Sequence, residues 1–311
     1  MGGFSRVVVT GGAGFIGSCL VSRLVGRGYS VAVLDNLSSG SLENLHSLLG
    51  EDGVEVVEGD IRDRRVVRKV LKGVDAVVHL AALIDVEASV RDPFEVHDVN
   101  VNGTLNVLME SVKAGVKRFV FASSTAVYGD ANPLPLMEDY PPRPISPYAA
   151  SKAAAEAYCL AFNRCYGIET VILRYFNVYG PGQRNSAYSG VVTKFLKNAL
   201  NDKPLIIYGD GKQTRDFIYV DDAVRATVLA LENKSVAGEI FNVCTGKPTL
   251  LNELVEVMRY AVGTNLKVLY DKPRKGDIQS NYGNPSKAEK MLGFEAKISL
   301  KEGIKLANNA L

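Results

Sequence analysis

The first half of the chain repeats one alternation. Short runs of consecutive apolar residues at 7–9, 31–34, 54–57, 76–80, 119–121 and 170–173 are separated by stretches of helical character, among them 16–27, 65–72, 104–113 and 148–166. Unbroken β-branched runs without polar alternation are the mark of strands buried on both faces, and strands joined through helices pair in parallel. The pattern predicts an α/β fold built on a doubly wound parallel sheet. Punctuation changes near Asn177-Val-Tyr-Gly-Pro-Gly-Gln183, after which loops lengthen and helices are expected at Val191–Leu200, 251–261 and Ser286–Leu292. Residues 1–178 read as one domain and 179–311 as a second, smaller α/β domain, with 217–240 packing back on the first. There are no internal repeats and no low-complexity tracts.

Composition adds exclusions. A chain of 311 residues, 47% hydrophobic, builds a substantial core and has room for about two domains. A net charge of +2 provides no field for nucleic acid or an anionic membrane. The four cysteines show no paired spacing and the three histidines are scattered, so neither a metal site nor a disulfide framework is expected. The chain enters its first strand almost at once and has no apolar run long enough to span a bilayer, which predicts a soluble cytoplasmic protein without a signal peptide.

Candidate chemistry starts at Thr10-Gly-Gly-Ala-Gly-Phe-Ile-Gly17, between the first strand and the first helix. There Gly11 lets the chain turn, Gly14 lets backbone approach a pyrophosphate, and Gly17 lets the helix lie against the sheet. This is the setting of a Rossmann-like dinucleotide site, and it makes 1–178 a dinucleotide-binding domain. Asp35 ends the second strand, 18 residues after Gly17. A carboxylate there accepts from both ribose hydroxyls and repels a 2′-phosphate, which selects NAD over NADP. Asp60-Ile61 and Leu80-Ala81-Ala82 follow the third and fourth strands, within reach of the same cofactor.

A second motif is Tyr148-Ala-Ala-Ser-Lys152. Side chains four apart share a helix face, where an ammonium favours phenolate over phenol. Tyrosine titrates near 10, so acting as a base near neutrality requires about 4 kcal/mol of such help. Ser146 as N-cap, Pro147 at the first helical position and the following alanines favour that helix. Tyr208-Gly-Asp-Gly-Lys212 has the same spacing, but its glycines predict a turn and no dyad. Ser124 is a candidate hydroxyl partner for a substrate alcohol.

In order along the chain, the segments 10–17, Asp60-Ile61, His79-Leu-Ala-Ala82, Asn100-Val-Asn-Gly-Thr104, Ser123-Ser-Thr-Ala-Val-Tyr-Gly129, 148–152 and Arg174-Tyr-Phe-Asn-Val-Tyr-Gly-Pro181 resemble the extended short-chain dehydrogenase/reductases. More narrowly the chain is similar to UDP-hexose 4-epimerases. The resemblance implies a bound NAD and a UDP-sugar substrate held by the second domain. It makes Tyr148 the general base, Lys152 its activator and ribose anchor, and Ser124 the partner of the sugar 4-hydroxyl. It adds Phe15, Ile16, Asn36, Ser123, Tyr175 and Val178 to the cofactor site, with Asn100 bracing the lysine. Asn177 and Val191 would face the UDP-sugar, Tyr208 the uracil, Arg215 and Arg274 the diphosphate, and Asp277 the uridine ribose. Asn281 falls where some members carry a bulky tyrosine, which implies room for N-acetylated sugars. Members commonly dimerise through helices matching 104–113 and 148–166, so a homodimer is expected.

The implied reaction is redox-neutral: oxidation at sugar C4, turning of the 4-keto sugar, and reduction from the other face. An NDP-hexose 4,6-dehydratase shares the cofactor site but follows the catalytic hydroxyl with an Asp-Glu pair. Thr125 and Ala126 stand there instead and cannot do that proton transfer. Reductase, decarboxylase and non-catalytic NAD-sensing readings remain alternatives; the last typically lacks the tyrosine, the lysine or the hydroxyl, all present here. His79 reads as structural, the pair Glu138-Asp139 as solvated, and Cys159 and Cys165 as packed thiols.

Overall fold

The computed structural model describes residues 5–130, 133–183, 190–263, 266–273 and 278–309. The strands β1 (Arg6–Thr10), β2 (Ser30–Asp35), β3 (Val54–Glu58), β4 (Ala76–His79), β5 (Arg118–Ser124) and β6 (Glu169–Tyr175) coincide with the six apolar runs. With Ile240–Val243 they form one parallel sheet, in the order Ile240–Val243, β6, β5, β4, β1, β2, β3. The chain winds outward from β1 to β3, then crosses back to lay β4 on the other side of β1. The carboxyl ends of β1 and β4 therefore flank the switch point, where doubly wound folds open a crevice.

The unbroken apolar runs supply both layers of the core. Val7, Val9, Val31 and Val33 face one side of the sheet, and Val8, Ala32, Val77 and Phe119 the other. The first apolar layer continues without a break into the second half, through residues such as Val192, Leu254 and Ile304. There the strands are short: Asn177–Tyr179 beside Phe217–Tyr219, Thr214–Arg215 between Thr249–Leu250 and Ser280–Asn281, and Leu205–Tyr208 beside Val268–Asp271.

Five helices meet their expected positions to within two residues: α1 (Phe15–Val25), Arg64–Val70, Thr104–Ala114, Pro147–Tyr166 and Leu251–Val262. Two others, Val191–Leu200 and Ser286–Leu292, match at both ends. The long helix starts as read, with Ser146 accepting from the Ala149 amide at 3.1 Å and Pro147 in the first turn. The strand Ile240–Val243 escapes a hydropathy reading because Asn242 interrupts it. That side chain is fully buried, yet it accepts from the Tyr128 hydroxyl (2.7 Å) and donates to the Leu136 carbonyl (2.9 Å). The helices Val86–Arg91 and Pro93–His97, capped by Asp85 and Asp92, were likewise not anticipated, and they run on into a π-helical turn at Asp98–Gly103.

Arg118, at the start of β5, is fully buried. It pairs with Glu169 at 2.7 Å, and its Nη1 donates to the carbonyls of Ala230 and Asn233, the C-terminal end of the helix Val220–Glu232. The guanidinium thus joins that helix to the sheet. Arg118→Leu is expected to strand both carbonyls and to lower unfolding free energy by about 2–4 kcal/mol in urea titration. An unchanged midpoint would show that these bonds are replaced by water at no net cost.

Candidate active site

A cavity of about 590 Å³ opens over the carboxyl ends of β1, β4, β5 and β6. Of the described residues predicted for the site, all line it except Asn100, Val191 and Tyr208. Arg274 and Asp277 lie outside the described residues.

The glycine turn forms one end. Gly11 has φ +69°, and a Cβ on it would stand 2.7 Å from the Ala81 nitrogen, so only glycine lets the turn rest on the loop after β4. A Cβ on Gly17 would lie 2.2 Å from the Gly11 carbonyl oxygen, which keeps α1 against the turn. A Cβ on Gly14 would meet only the Gly11 oxygen, at 3.2 Å, leaving its backbone open to a phosphate at the helix N-terminus. These features fit a dinucleotide.

Asp35 is nearly buried and accepts from the amides of Ala13 and Leu37, each at 2.9 Å. Burial raises its pKa, and those two amides oppose the rise. The carboxylate therefore holds the glycine turn itself while lining the cavity. Asp60 lines the cavity as expected within reach of the cofactor, but its carboxylate is already engaged. Its oxygens accept from Arg62 at 2.8 Å and 3.0 Å and from Asn36 at 3.1 Å, and the Arg62 guanidinium brings its pKa down to about 2. Arg62 also pairs with Glu95 and Asp98 and lines the cavity, a role the sequence reading missed. A cation two residues after a candidate ligand carboxylate was the available signal.

Ser124, Tyr148 and Lys152 converge at the other end. Tyr148 and Lys152 are both buried, one turn apart on the long helix. The Lys152 ammonium donates to the Ala122 carbonyl at 2.9 Å and sits 5.0 Å from the Phe121 ring centroid. Desolvation pulls its pKa down to about 8. Burial pushes the Tyr148 phenol upward, opposed by its hydrogen bond to Ser124. Burial by itself therefore moves both groups away from the phenolate–ammonium pair that the spacing suggested.

One helical turn beyond Lys152, Glu156 is buried against Arg174, with N–O distances of 2.7 Å and 2.9 Å. Ser123 donates to the same carboxylate at 2.5 Å. Arg174 donates to the Glu138 carbonyl and lies over the Tyr128 ring. Neither member of this pair was singled out in the sequence, although Glu156 repeats the helix face of Tyr148 and Lys152.

Other residues singled out in the sequence have surroundings of their own. The Asn100 side chain makes no direct hydrogen bond to Lys152. It clasps the backbone of Leu83, accepting from N at 2.8 Å and donating to O at 2.9 Å, and donates to Ser151 at 2.9 Å. Val191 packs on the core. Tyr208 lines a separate depression with Gln213 and Tyr270. The Tyr208–Lys212 segment is a turn, with Gly209 and Gly211 at positive φ. Glu138 is not solvated: it accepts from the Asn242 amide at 2.8 Å, and burial raises its pKa. Cys159 is buried but Cys165 is exposed. Among the described residues, no helix is long and apolar enough to cross a membrane.

Comparison with known proteins agrees with this arrangement. The model of the NAD dependent epimerase/dehydratase family matches residues 7–244. A UDP-glucose 4-epimerase of Mycolicibacterium smegmatis is 40% identical over 301 residues, 96% of each chain. The structure of a UDP-glucose 4-epimerase from Thermotoga maritima, with UDP-glucose, superposes with a TM-score of 0.93 at 40% identity, covering 98% of both chains. A UDP-N-acetylglucosamine 4-epimerase from Methanobrevibacter ruminantium gives a TM-score of 0.94 at 37% identity, covering 98% of this chain and 97% of its own.

The lowered Lys152 pKa has a stability consequence. Below about pH 8 the lysine is charged in both folded and unfolded chains and bears its full desolvation penalty. Between about 8 and 10.5 the folded state releases the proton first, so the penalty fades as pH rises. In cofactor-free protein, Lys152→Met is expected to unfold with up to about 3 kcal/mol more stability than the parent at pH 7, and with little difference near pH 10. Paired denaturant titrations at the two pH values check this; a pH-independent difference would remove desolvation as its cause.

Proposed function

The chain belongs to the NAD dependent epimerase/dehydratase family, and from that premise we propose that it interconverts the C4 epimers of a UDP-hexose. It is an enzyme of the NAD-dependent, UDP-sugar epimerase/dehydratase type; which sugar and which outcome are the proposal. UDP-galactose and UDP-glucose are the primary pair. A cytoplasmic location and a homodimer joined through the helices Thr104–Ala114 and Pro147–Tyr166 complete the reading.

The observation that carries it is the chemistry gathered at the Ser124 end of the cavity. A phenol, an ammonium and a hydroxyl meet there, and among the described lining residues the carboxylates are Asp35, Asp60 and Glu95. Asp35 is bound to the glycine-turn amide of Ala13, and Asp60 and Glu95 are tied to Arg62. Thr125 and Ala126, which follow Ser124, have no acid or base to eliminate water across C5 and C6. The set favours oxidation and reduction at one carbinol carbon over dehydration.

When bound, NAD supplies the hydride acceptor and donor and, in its oxidised form, a positive charge. Gly11, Gly14, Gly17 and Asp35 would hold it. Tyr148 removes the proton from the 4-hydroxyl, and Ser124 holds that hydroxyl in place. Burial pushes the phenol upward, the Ser124 hydrogen bond opposes that push, and in this reading the Lys152 ammonium favours the phenolate further. Arg215 lines the cavity as a candidate for the diphosphate, a role Arg274 would share, while Asp277 would take the uridine ribose. The sugar must turn while the nucleotide stays anchored, so the pocket needs width where Asn281 lies. Asn281 is buried, lines the cavity and accepts from Thr125 at 3.1 Å. In this reading its small side chain also admits N-acetylated UDP-hexoses.

Proton NMR of the anomeric signals tests the reaction: purified protein with UDP-galactose and no added cofactor is expected to yield UDP-glucose. Silence with every UDP-hexose, even with NAD supplied, would return the dehydratase, reductase and sensor readings. For the pocket, Asn281→Tyr is expected to lower turnover of UDP-GlcNAc and UDP-GalNAc at least about tenfold relative to UDP-Glc and UDP-Gal, the scale of a steric mismatch of 1–3 kcal/mol. An unchanged ratio would refute the role given to Asn281.

A further inference from the structure

Beneath the loop 80–83, which lines the cavity at Leu80, Ala81, Ala82 and Leu83, lies a closed chain of polar side chains in an otherwise apolar layer. Its centre is His79, the last residue of β4, buried to 1% exposure between Phe119 and Phe121. Its Nδ1 is 2.6 Å from the Thr10 hydroxyl, at the end of β1. Its Nε2 is 2.9 Å from the Thr104 hydroxyl, just past the π-helical turn.

The proton positions follow from counting. The Thr104 hydroxyl has one hydrogen and stands 2.6 Å from the Asn100 carbonyl, which can only accept. Thr104 therefore accepts from the ring, and Nε2 carries the proton. Nδ1 is then an acceptor and receives the Thr10 hydrogen, while the Thr10 oxygen accepts from the Ala81 amide at 3.3 Å. The opposite tautomer would leave the Thr10 hydrogen without an acceptor and two bare oxygens 2.6 Å apart at Thr104, both in a buried setting where an unmade bond is expensive. The chain continues through Asn100, whose side chain clasps Leu83 and donates to Ser151, and the Ser151 hydroxyl donates to the Tyr148 carbonyl at 2.8 Å.

We propose that His79, fixed as the Nε2–H tautomer, is a positioning residue that sets the loop 80–83 in register between the glycine turn and the helix bearing Tyr148. One side of the chain fixes Ala81, on which Gly11 rests; the other fixes Leu83 and reaches the tyrosine's own backbone. A ring with a donor on one edge and an acceptor on the other joins two threonines whose remaining bonds are already assigned. An apolar residue would fill the space and break the sequence of bonds. The inference rests on the chain's use of NAD and is independent of which UDP-sugar it turns over.

The test has two arms. Holoprotein labelled with 15N-histidine is examined at pH 7 by two-bond proton–nitrogen correlation, with His79 assigned by its loss in His79→Gln. A protonated Nε2 with a bare Nδ1 is expected; the Nδ1–H tautomer or an imidazolium would overturn the proposal. In the second arm, Thr104→Val removes the acceptor at nearly constant volume, and Thr104→Ser restores it. Release of NAD from the folded holoprotein is expected to quicken about tenfold in Thr104→Val and to stay within about twofold of the parent in Thr104→Ser. Unchanged release in the valine variant, or equal loss in both, would mean that the threonine matters only for packing. If the valine variant fails to fold, the tautomer of the parent and the serine variant's release still decide the matter.

Discussion

A carboxylate and a guanidinium buried together, Glu156 against Arg174, set the register on which the site depends. Neither charge is tolerable alone in that setting, so the long helix and β6 can pack only where the two meet. The consequences run along the chain on both sides. Lys152 and Tyr148 lie one and two turns before Glu156 on the same helix. Tyr175 follows Arg174, and Ser124 follows Ser123, which donates to the same carboxylate. One ion pair thus aligns a helix and two strands, and each carries a cavity residue beside its anchor. Through Tyr128, which stacks on Arg174 and donates to Asn242, the alignment reaches the seventh strand. Its value lies in geometry, since a buried ion pair contributes little net stability over apolar packing.

That precision holds an electrostatically uncomfortable arrangement. The burial that excludes water also pushes the Tyr148 phenol upward and draws the Lys152 ammonium down to about 8. Both shifts favour neutral side chains, whereas a base-competent tyrosine beside a charged lysine needs the opposite. Ser124 contributes in the helpful direction, and the Ala122 carbonyl and the Phe121 ring favour the ammonium. Such tension between stability and readiness is common where a protein holds reactive groups in a dry site. Spacing along a helix gives proximity but not the dielectric around it.

What was legible in the sequence was local. Six strands announced themselves as β-branched runs, and the glycine turn as a strand–turn–helix junction. Ser146 and Pro147 marked the start of the long helix. Three kinds of feature were not legible. Asn242 disguised a strand because its partners, Tyr128 and Leu136, are more than a hundred residues away in sequence. That Arg62 holds the Asp60 carboxylate, and that Asn100 is held by Leu83 and Ser151, was likewise not read from the sequence. Glu138, in a proline-rich stretch that looks solvated, is drawn in by the amide of Asn242. In each case a polar residue takes its meaning from the partner that satisfies it, two residues away for Asp60 and more than a hundred for Asn242.

The distribution of carboxylates separates the reactions that this framework can support. Redox chemistry at a carbinol carbon needs one base, one hydroxyl partner and a cofactor, all adjacent. Elimination needs a further acid and base on neighbouring carbons, and hence carboxyl groups near the same hydroxyl. Asp35, Asp60 and Glu95 carry the carboxylates among the described lining residues, and each is held by an amide or by Arg62 away from Ser124. The residues beside Ser124 are a threonine and an alanine, and Thr125 is occupied in donating to Asn281. A cavity so divided, with acidic groups engaged at one end and only hydroxyl, phenol and ammonium at the other, suits the proposed proton transfer at one carbinol. The stereochemical outcome then depends on whether the oxidised sugar can turn before it is reduced. In the proposed reading the discriminating residue is then Asn281, which Thr125 joins to the Ser124 end of the pocket, and not one of the three groups assigned to the chemistry.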